Sequence, residues 1–286
     1  MAVEYRGVGI TLPTLVGIGV PRGGTTWLHN WLGDHPRIFM PSRRKEIRFF
    51  DQHFERGLDW YRSFFCSPAE ADQYDVIGEI SPQYFYSDLA PERIAVTLPD
   101  VSLLLILRHP VDRAYSHYGF TVQRGNYRGS FEQFIAERPQ ALEWGFYSRY
   151  AKRFQRHFDK SRMLSLVYED ARRSYEETVV RVATFLGIDP GKFSAESFSR
   201  RVNQSSVPRL GAFSSAAVKV GRRLRRAGIE PVVDLVQRLG AQRFIERGGP
   251  LPPVNPELRL ELSQRFEREF DELEDCLELD LSAWRP

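Results

Sequence analysis

Apolar residues in this chain fall into short unbroken runs, separated by stretches where they recur every three or four positions. Leu15 to Val20 is one such run and ends in Pro21-Arg-Gly-Gly24. It predicts a buried strand entering a glycine-rich turn, with a helix over Thr25 to Gly33 beyond it. Val76 to Ile80, Val101 to Leu107 and Met163 to Tyr168 predict three more strands. Between them the spacing predicts helices over 58–65, 91–98, from Pro110 to about Gln123, over 144–158 and over 175–186, with a loop at 125–129. Strands alternating with helices imply an α/β fold of P-loop-like, three-layer α/β/α type, with a central, mostly parallel sheet.

The whole chain, 1–286, is read as a single domain. Residues 194–250 are rich in Ser, Arg and Gly and include Arg222-Arg-Leu-Arg-Arg226. They are expected to form a mobile cover segment. Residues 256–286 should supply a C-terminal helix packed on the body, apolar at Leu258, Leu262, Phe266, Phe270, Leu273 and Leu277. The formal charge is +3. It suits an anionic ligand and is too weak to argue for nucleic acid. Cys66 and Cys276 lie far apart, with no metal spacing around either, so no disulfide framework is expected. The first residues carry no basic-then-apolar leader pattern, and no apolar run reaches the length of a membrane span. The chain therefore reads as cytoplasmic.

The richest segment chemically is Gly19-Val-Pro-Arg-Gly-Gly-Thr-Thr26. A strand, a glycine turn and a helix start form an oxyanion cradle, because glycine lets successive N–H groups curl inward and the helix start adds free donors. Gly19 and Gly24 have the spacing of a nucleotide P-loop, but Thr25 stands where its lysine belongs and the cation has moved into the loop as Arg22. No aspartate follows a hydrophobic strand in the place that holds magnesium, so no metal is expected. The second element is Arg108-His-Pro-Val-Asp-Arg-Ala-Tyr-Ser116. Arg108 follows a buried strand, where ligands bind in open α/β sheets. Ser116 lies two turns into the next helix and can converge with it on one phosphate. Arg113 is expected to pair with Asp112 or a nearby acid on the helix surface.

Pro21-Arg-Gly-Gly-Thr-Thr-Trp-Leu28 and Arg108 to Ser116 together resemble the two donor motifs of the PAPS-dependent sulfotransferase superfamily, with Arg22 in place of its usual lysine. The resemblance runs from about Leu15 to Trp284. It implies transfer of a sulfonate from 3′-phosphoadenosine 5′-phosphosulfate (PAPS) to an acceptor hydroxyl or amine. It further implies that Arg22, Gly23, Gly24, Thr25 and Thr26 hold the 5′-phosphosulfate and that Arg108 and Ser116 hold the 3′-phosphate. Trp27 would stack on adenine, Tyr168 would touch it, and Arg222 and Arg223 belong to a late loop closing over the 3′-phosphate.

Lys45-Glu-Ile-Arg-Phe-Phe-Asp51 resembles a segment of the heparan sulfate and other glycan sulfotransferases whose Glu is the general base, which maps onto Glu46. Glu79 stands as a second acid toward the acceptor and His53 as a reserve base. Ile80 occupies a place where glycosaminoglycan enzymes often carry lysine, which weakens the case for a highly sulfated polyanion. The acceptor is expected to be a glycan or small metabolite. Two other readings stay open at this stage: a phosphoryl-transfer enzyme with a degenerate P-loop, and a non-catalytic nucleotide-binding module on the same fold.

Overall fold

Strands covered on both faces favour apolar side chains at most positions, and four of the apolar runs form such strands. The structure, a computed structural model, describes residues 11–199 and 253–285. The strands are β1 (Leu15–Gly19), β2 (Ile38–Phe39), β3 (Val76–Ile80), β4 (Ser102–Leu107) and β5 (Met163–Val167). They form one parallel sheet in the order β2-β3-β1-β4-β5. Leu15 pairs with Gly78 on one side and Ser102 on the other, and Leu103 to Leu107 pair in step with Met163 to Val167. The chain leaves central β1 toward β3 on one side and later reaches β4 on the other. The carboxyl ends of β1 and β4 therefore flank the switch point where ligands bind in such sheets. Edge strand β2 has only two residues and carries no readable period.

The helices are α1 (Thr25–Gly33), α2 (Gly57–Arg62), α3 (Pro68–Ala71), α4 (Ala90–Thr97), α5 (Pro110–Gln123), α6 (Phe131–Glu137) and α7 (Gln140–Glu143). They continue with α8 (Ser148–Gln155), α9 (Tyr168–Arg173), α10 (Tyr175–Leu186), α11 (Ala195–Ser199), α12 (Pro256–Gln264) and α13 (Glu267–Leu277). The described residues fall into two compact units, one of 11–109, 146–199 and 266–285, the other of 110–145 and 253–265. In the first unit, Leu104 and Ile106 face a core with Trp27, Trp31 and Leu32 of α1 and Val179, Val182 and Ala183 of α10. Leu103, Leu105 and Leu107 are equally buried and, by the two-residue period of a strand, face the opposite side. Phe85, Phe154 of α8 and Phe270 of α13 are also buried, with Phe85 stacked on Phe154 at 6.2 Å. The unit has helices on both faces of its sheet, as expected.

Three expectations change. Of the helix proposed over 144–158 only Ser148–Gln155 forms, the preceding α7 having ended at Glu143. This segment, α8, begins there because the buried Glu269 carboxylate accepts both Ser148 N–H (2.6 Å) and Ser148 Oγ–H (2.9 Å), capping its N-terminus. The helix proposed over 258–277 is two helices, α12 and α13, parted at Arg265 and Phe266, although its i, i+4 apolar stripe continues unbroken across the break. Tyr168 opens a helix where a strand end was expected.

In the second unit, Arg113 is fully buried and donates to the Ala141 carbonyl, with its guanidinium 6.0 Å from the Trp144 ring centroid. The surface pairing expected for it belongs to its neighbour: Asp112 is bound by Arg259 of α12.

Candidate functional site

The cradle forms where β1 stops. Val20 N–H donates to Ile106 O (2.9 Å) and Gly23 N–H to Val20 O (2.9 Å), so the loop is tied to β4 and closed on itself before α1 begins. Two residues have left-handed backbones, Arg22 (φ 71°) and Gly24 (φ 100°). A side chain at Gly24 would put its Cβ 2.6 Å from Tyr168 Cε2. At Gly23 it would meet Val20 Cγ2 at 2.7 Å. Glycine is therefore a steric requirement at both positions. Leu28 N–H is the donor that returns to Gly24 O, which leaves the first N–H groups of α1 directed out of the helix end. A left-handed arginine carries a cost of order 1–2 kcal/mol. Arg108, at the tip of β4, braces that turn by donating from Nη1 to Arg22 O (3.3 Å).

Arg108 lies over the Tyr168 ring (5.3 Å), and its Nε is buried with no hydrogen-bond partner. The strand tip that carries it is fixed from behind. His109 N–H donates to Glu169 Oε1 (3.1 Å), Trp284 Nε1–H to Glu169 Oε2 (3.2 Å), and Tyr147 Oη–H to Arg108 O (2.9 Å). Burial raises the Glu169 carboxyl above its ordinary range against these donors. Tyr168, Gly24, Arg22 and Arg108 are thus brought together. Ser116 lies half-buried on α5, in the second unit. Arg222 and Arg223 lie outside the described residues.

Trp27 is placed differently from the expectation. It is 4% exposed, stacked on Trp31 (5.7 Å, 3°) and edge-on to Phe198 (5.0 Å), and its indole N–H donates to Phe198 O (2.7 Å). Its ring anchors α1 to α11.

The segment after β2 brings a cation that sequence reasoning passed over. Lys45 Nζ lies 3.4 Å from Thr25 Oγ1, at the first residue of α1, and 3.4 Å from Glu46 Oε1. Burial lowers its pKa, Glu46 opposes that shift, and Arg22 adds to it. Glu46 itself is the more exposed partner. His29, one turn beyond Thr25 on α1, is buried with Nδ1 unpartnered, and its pKa falls to about 4 through burial and the Lys45 charge.

Glu79 is fully enclosed. Its Oε1 accepts from Tyr61 (2.9 Å) and Tyr84 (2.9 Å), and its Oε2 from Ser81 (2.7 Å). Burial pushes this carboxyl up to about 7. The same hydroxyls hold the strap: Tyr84 Oη accepts Phe49 N–H (2.8 Å) and Ser81 Oγ accepts Arg48 N–H (3.0 Å). Glu79 therefore supports the segment carrying Lys45 and Glu46 from behind and offers no surface to a ligand. His53 contacts Arg44 Nη2 (3.2 Å) and the edge of Trp60 (5.1 Å), and its pKa is lowered by burial and then by Arg44 and Arg56. Arg44 and Arg56 both lie against the Trp60 ring, at 5.7 and 4.6 Å. Among the described residues, no group of three His, Cys, Asp or Glu is placed to hold a metal.

Comparison with known proteins accords with this geometry. The chain is 32% identical over 200 residues, 63% of its length, to the bifunctional heparan sulfate N-deacetylase/N-sulfotransferase 2 of Homo sapiens, and it spans 22% of that relative. It is 33% identical over 147 residues, 49% of its length, to the membrane-associated sulfotransferase kil1 of Dictyostelium discoideum, covering 31% of it. It thus spans about a fifth to a third of these curated relatives. A crystal structure of a sulfotransferase from Alicyclobacillus acidocaldarius shares the fold, with a TM-score of 0.68 at 21% identity, over 97% of this chain and 100% of that one. A family model described as the sulfotransferase domain matches residues 13–222, which hold the cradle, Lys45, Glu46 and Arg108, and the chain belongs to that family.

Proposed function

We propose that the protein transfers a sulfonate from PAPS to a hydroxyl or amine of a glycan acceptor. The observation that carries this reading is the cradle. Two sterically required glycines, a left-handed arginine and an outward helix N-terminus stand beside a half-buried arginine whose buried Nε is unpartnered. That constellation fits an anionic nucleotide, and the chain places no lysine where a triphosphate P-loop needs one. Arg22 and the loop N–H groups would hold the phosphosulfate, and Arg108 the 3′-phosphate, with Tyr168 beside both. The donor supplies an electrophilic sulfur whose bond to the phosphate oxygen breaks, the electron pair staying with the phosphate. Glu46 takes the proton from the acceptor oxygen or nitrogen as that atom bonds to sulfur, and Arg22 stabilises the charge developing on the leaving phosphate. A glycan acceptor is supported by the likeness to the human heparan sulfate enzyme and by Trp60 with Arg44 and Arg56, an aromatic and basic surface joined to the base because Arg44 Nε donates to Glu46 O (3.1 Å).

Transfer of labelled sulfonate from PAPS to a panel of glycans and small hydroxyl compounds tests the reading. Glu46→Gln should lower kcat by about 10²-fold or more, with affinity for adenosine 3′,5′-bisphosphate nearly unchanged. Arg108→Ala should weaken that nucleotide far more than its analogue lacking the 3′-phosphate. Full activity in the first variant removes Glu46 as base, and an equal loss for both nucleotides removes Arg108 from the 3′-phosphate.

A further inference from the structure

Lys45 does not belong to the glycine loop, yet its ammonium meets the start of α1. It arrives from the segment between β2 and β3, and its position is built from two sides. Thr25 and His29 lie one turn apart on the same face of α1. Thr25 Oγ1 is 3.4 Å from the ammonium, and the Lys45 charge is one cause of the low pKa of His29. His29 is neutral near pH 7 and adds no second charge there, while its buried Nδ1 has no partner. On the other side stands the Glu46 carboxylate, 3.4 Å away. A lysine held for structure alone would find a close acid and full hydrogen bonding. Here both contacts are long, the side chain is 23% exposed, and Arg22 repels it from the loop.

From this geometry we infer that Lys45 is a second donor-binding cation, which contacts the oxygens of the 5′-phosphate and its sulfonate and ties the donor to Glu46. The inference rests on the proposed sulfonate transfer and extends it to a residue outside the cradle. Lys45 stays protonated throughout. It gives up part of its contact with Glu46 when the anion arrives, and Glu46 remains beside the reacting sulfur. The groups facing its ammonium are Glu46, Arg22, His29 and the Thr25 hydroxyl.

The test is titration calorimetry of adenosine 3′,5′-bisphosphate against the full chain from pH 7.5 to 10.5, using wild type, Lys45→Met and Lys45→Arg. Removing one charge-assisted contact should weaken binding at pH 7.5 by about tenfold to a hundredfold, and Lys45→Arg should restore most of it. Because burial lowers the lysine pKa, wild-type affinity should fall within this range by up to tenfold per pH unit as Lys45 loses its proton. The arginine variant should lack that phase. A lysine that only supports the fold would not produce this difference. Equal affinity of wild type and Lys45→Met, or parallel pH curves for wild type and Lys45→Arg, overturns the assignment and leaves the sulfotransferase reading intact. No binding by wild type at any pH overturns both.

Discussion

Substituting Glu79 by Gln tests whether a buried carboxyl supports the strap, and the size of the effect follows from its surroundings. Glu79 has an ordinary value of 4.5 and is held near 7 by burial, with three hydroxyls donating to it and Asp51 adding a little repulsion. On raising the pH, the unfolded chain releases this proton first, so the native state binds more protons between the two values. Stability contributed by the protonated carboxyl is complete below pH 4.5 and lost as pH rises through about 7, with no further change above. At about 1.4 kcal/mol per pH unit, the gap amounts to about 3 kcal/mol in full, roughly 2.5 of it between pH 5 and 8.5. Glutamine keeps a carbonyl for Tyr61 and Tyr84 and can donate to Ser81 Oγ, but it does not titrate. Burial also raises Glu169 and Glu269, so the informative quantity is the difference between the two proteins and not either curve alone. Urea unfolding of wild type and Glu79→Gln at half-unit steps should show the variant gaining on wild type by about that amount toward alkaline pH. Two parallel curves would mean that Glu79 is ionised in the folded protein and that the hydroxyl cage solvates a charge.

Gly24→Ala should cost about 2–3 kcal/mol, combining the left-handed backbone with displacement of the Tyr168 ring, and should weaken adenosine 3′,5′-bisphosphate at least tenfold. Wild-type affinity in a folded variant would contradict the cradle. Trp27→Ala should destabilise by about 3–5 kcal/mol in denaturant titrations. Trp27→Phe should lose only about 1–2 kcal/mol with the Phe198 O bond and keep nucleotide affinity within about threefold. A large affinity loss at unchanged stability would return that ring to the adenine.

Legibility in the sequence followed the range of the forces involved. β1, β3, β4 and β5 could be read directly because most positions in each are buried, leaving at most one polar residue in any run. Pro21 to Thr26 could be read because a tight turn into a helix is decided by its own residues. β2, at two residues, depends on its pairing with Val76 and Ile77. The break before α8 depends on Glu269, 121 residues away, and nothing near Ser148 announces it. The role of Trp27 was ambiguous because an indole suits a core and a base stack equally, and the partner that decides it, Phe198, lies 171 residues on. The contacts that decide the roles of Lys45 and Glu79 were hidden for the same reason. Thr25 and Tyr61, 20 and 18 residues away from them, come close only after the chain has folded around the sheet.

The strand order also places the two halves of the proposed site in different parts of the polypeptide. The glycine cradle and Arg108 follow the innermost strands, β1 and β4, where any shift disturbs the whole sheet. Lys45, Glu46 and Trp60 ride on a single excursion from Met40 to Asp75 that leaves from the outermost strand and returns one place inward. That excursion can be exchanged with little effect on the sheet's centre, provided its replacement keeps the Tyr61 hydroxyl that meets Glu79. On the proposed function, grafts that keep Lys45 and Glu46 offer a route to redirect this scaffold toward new acceptors with the sulfur donor unchanged.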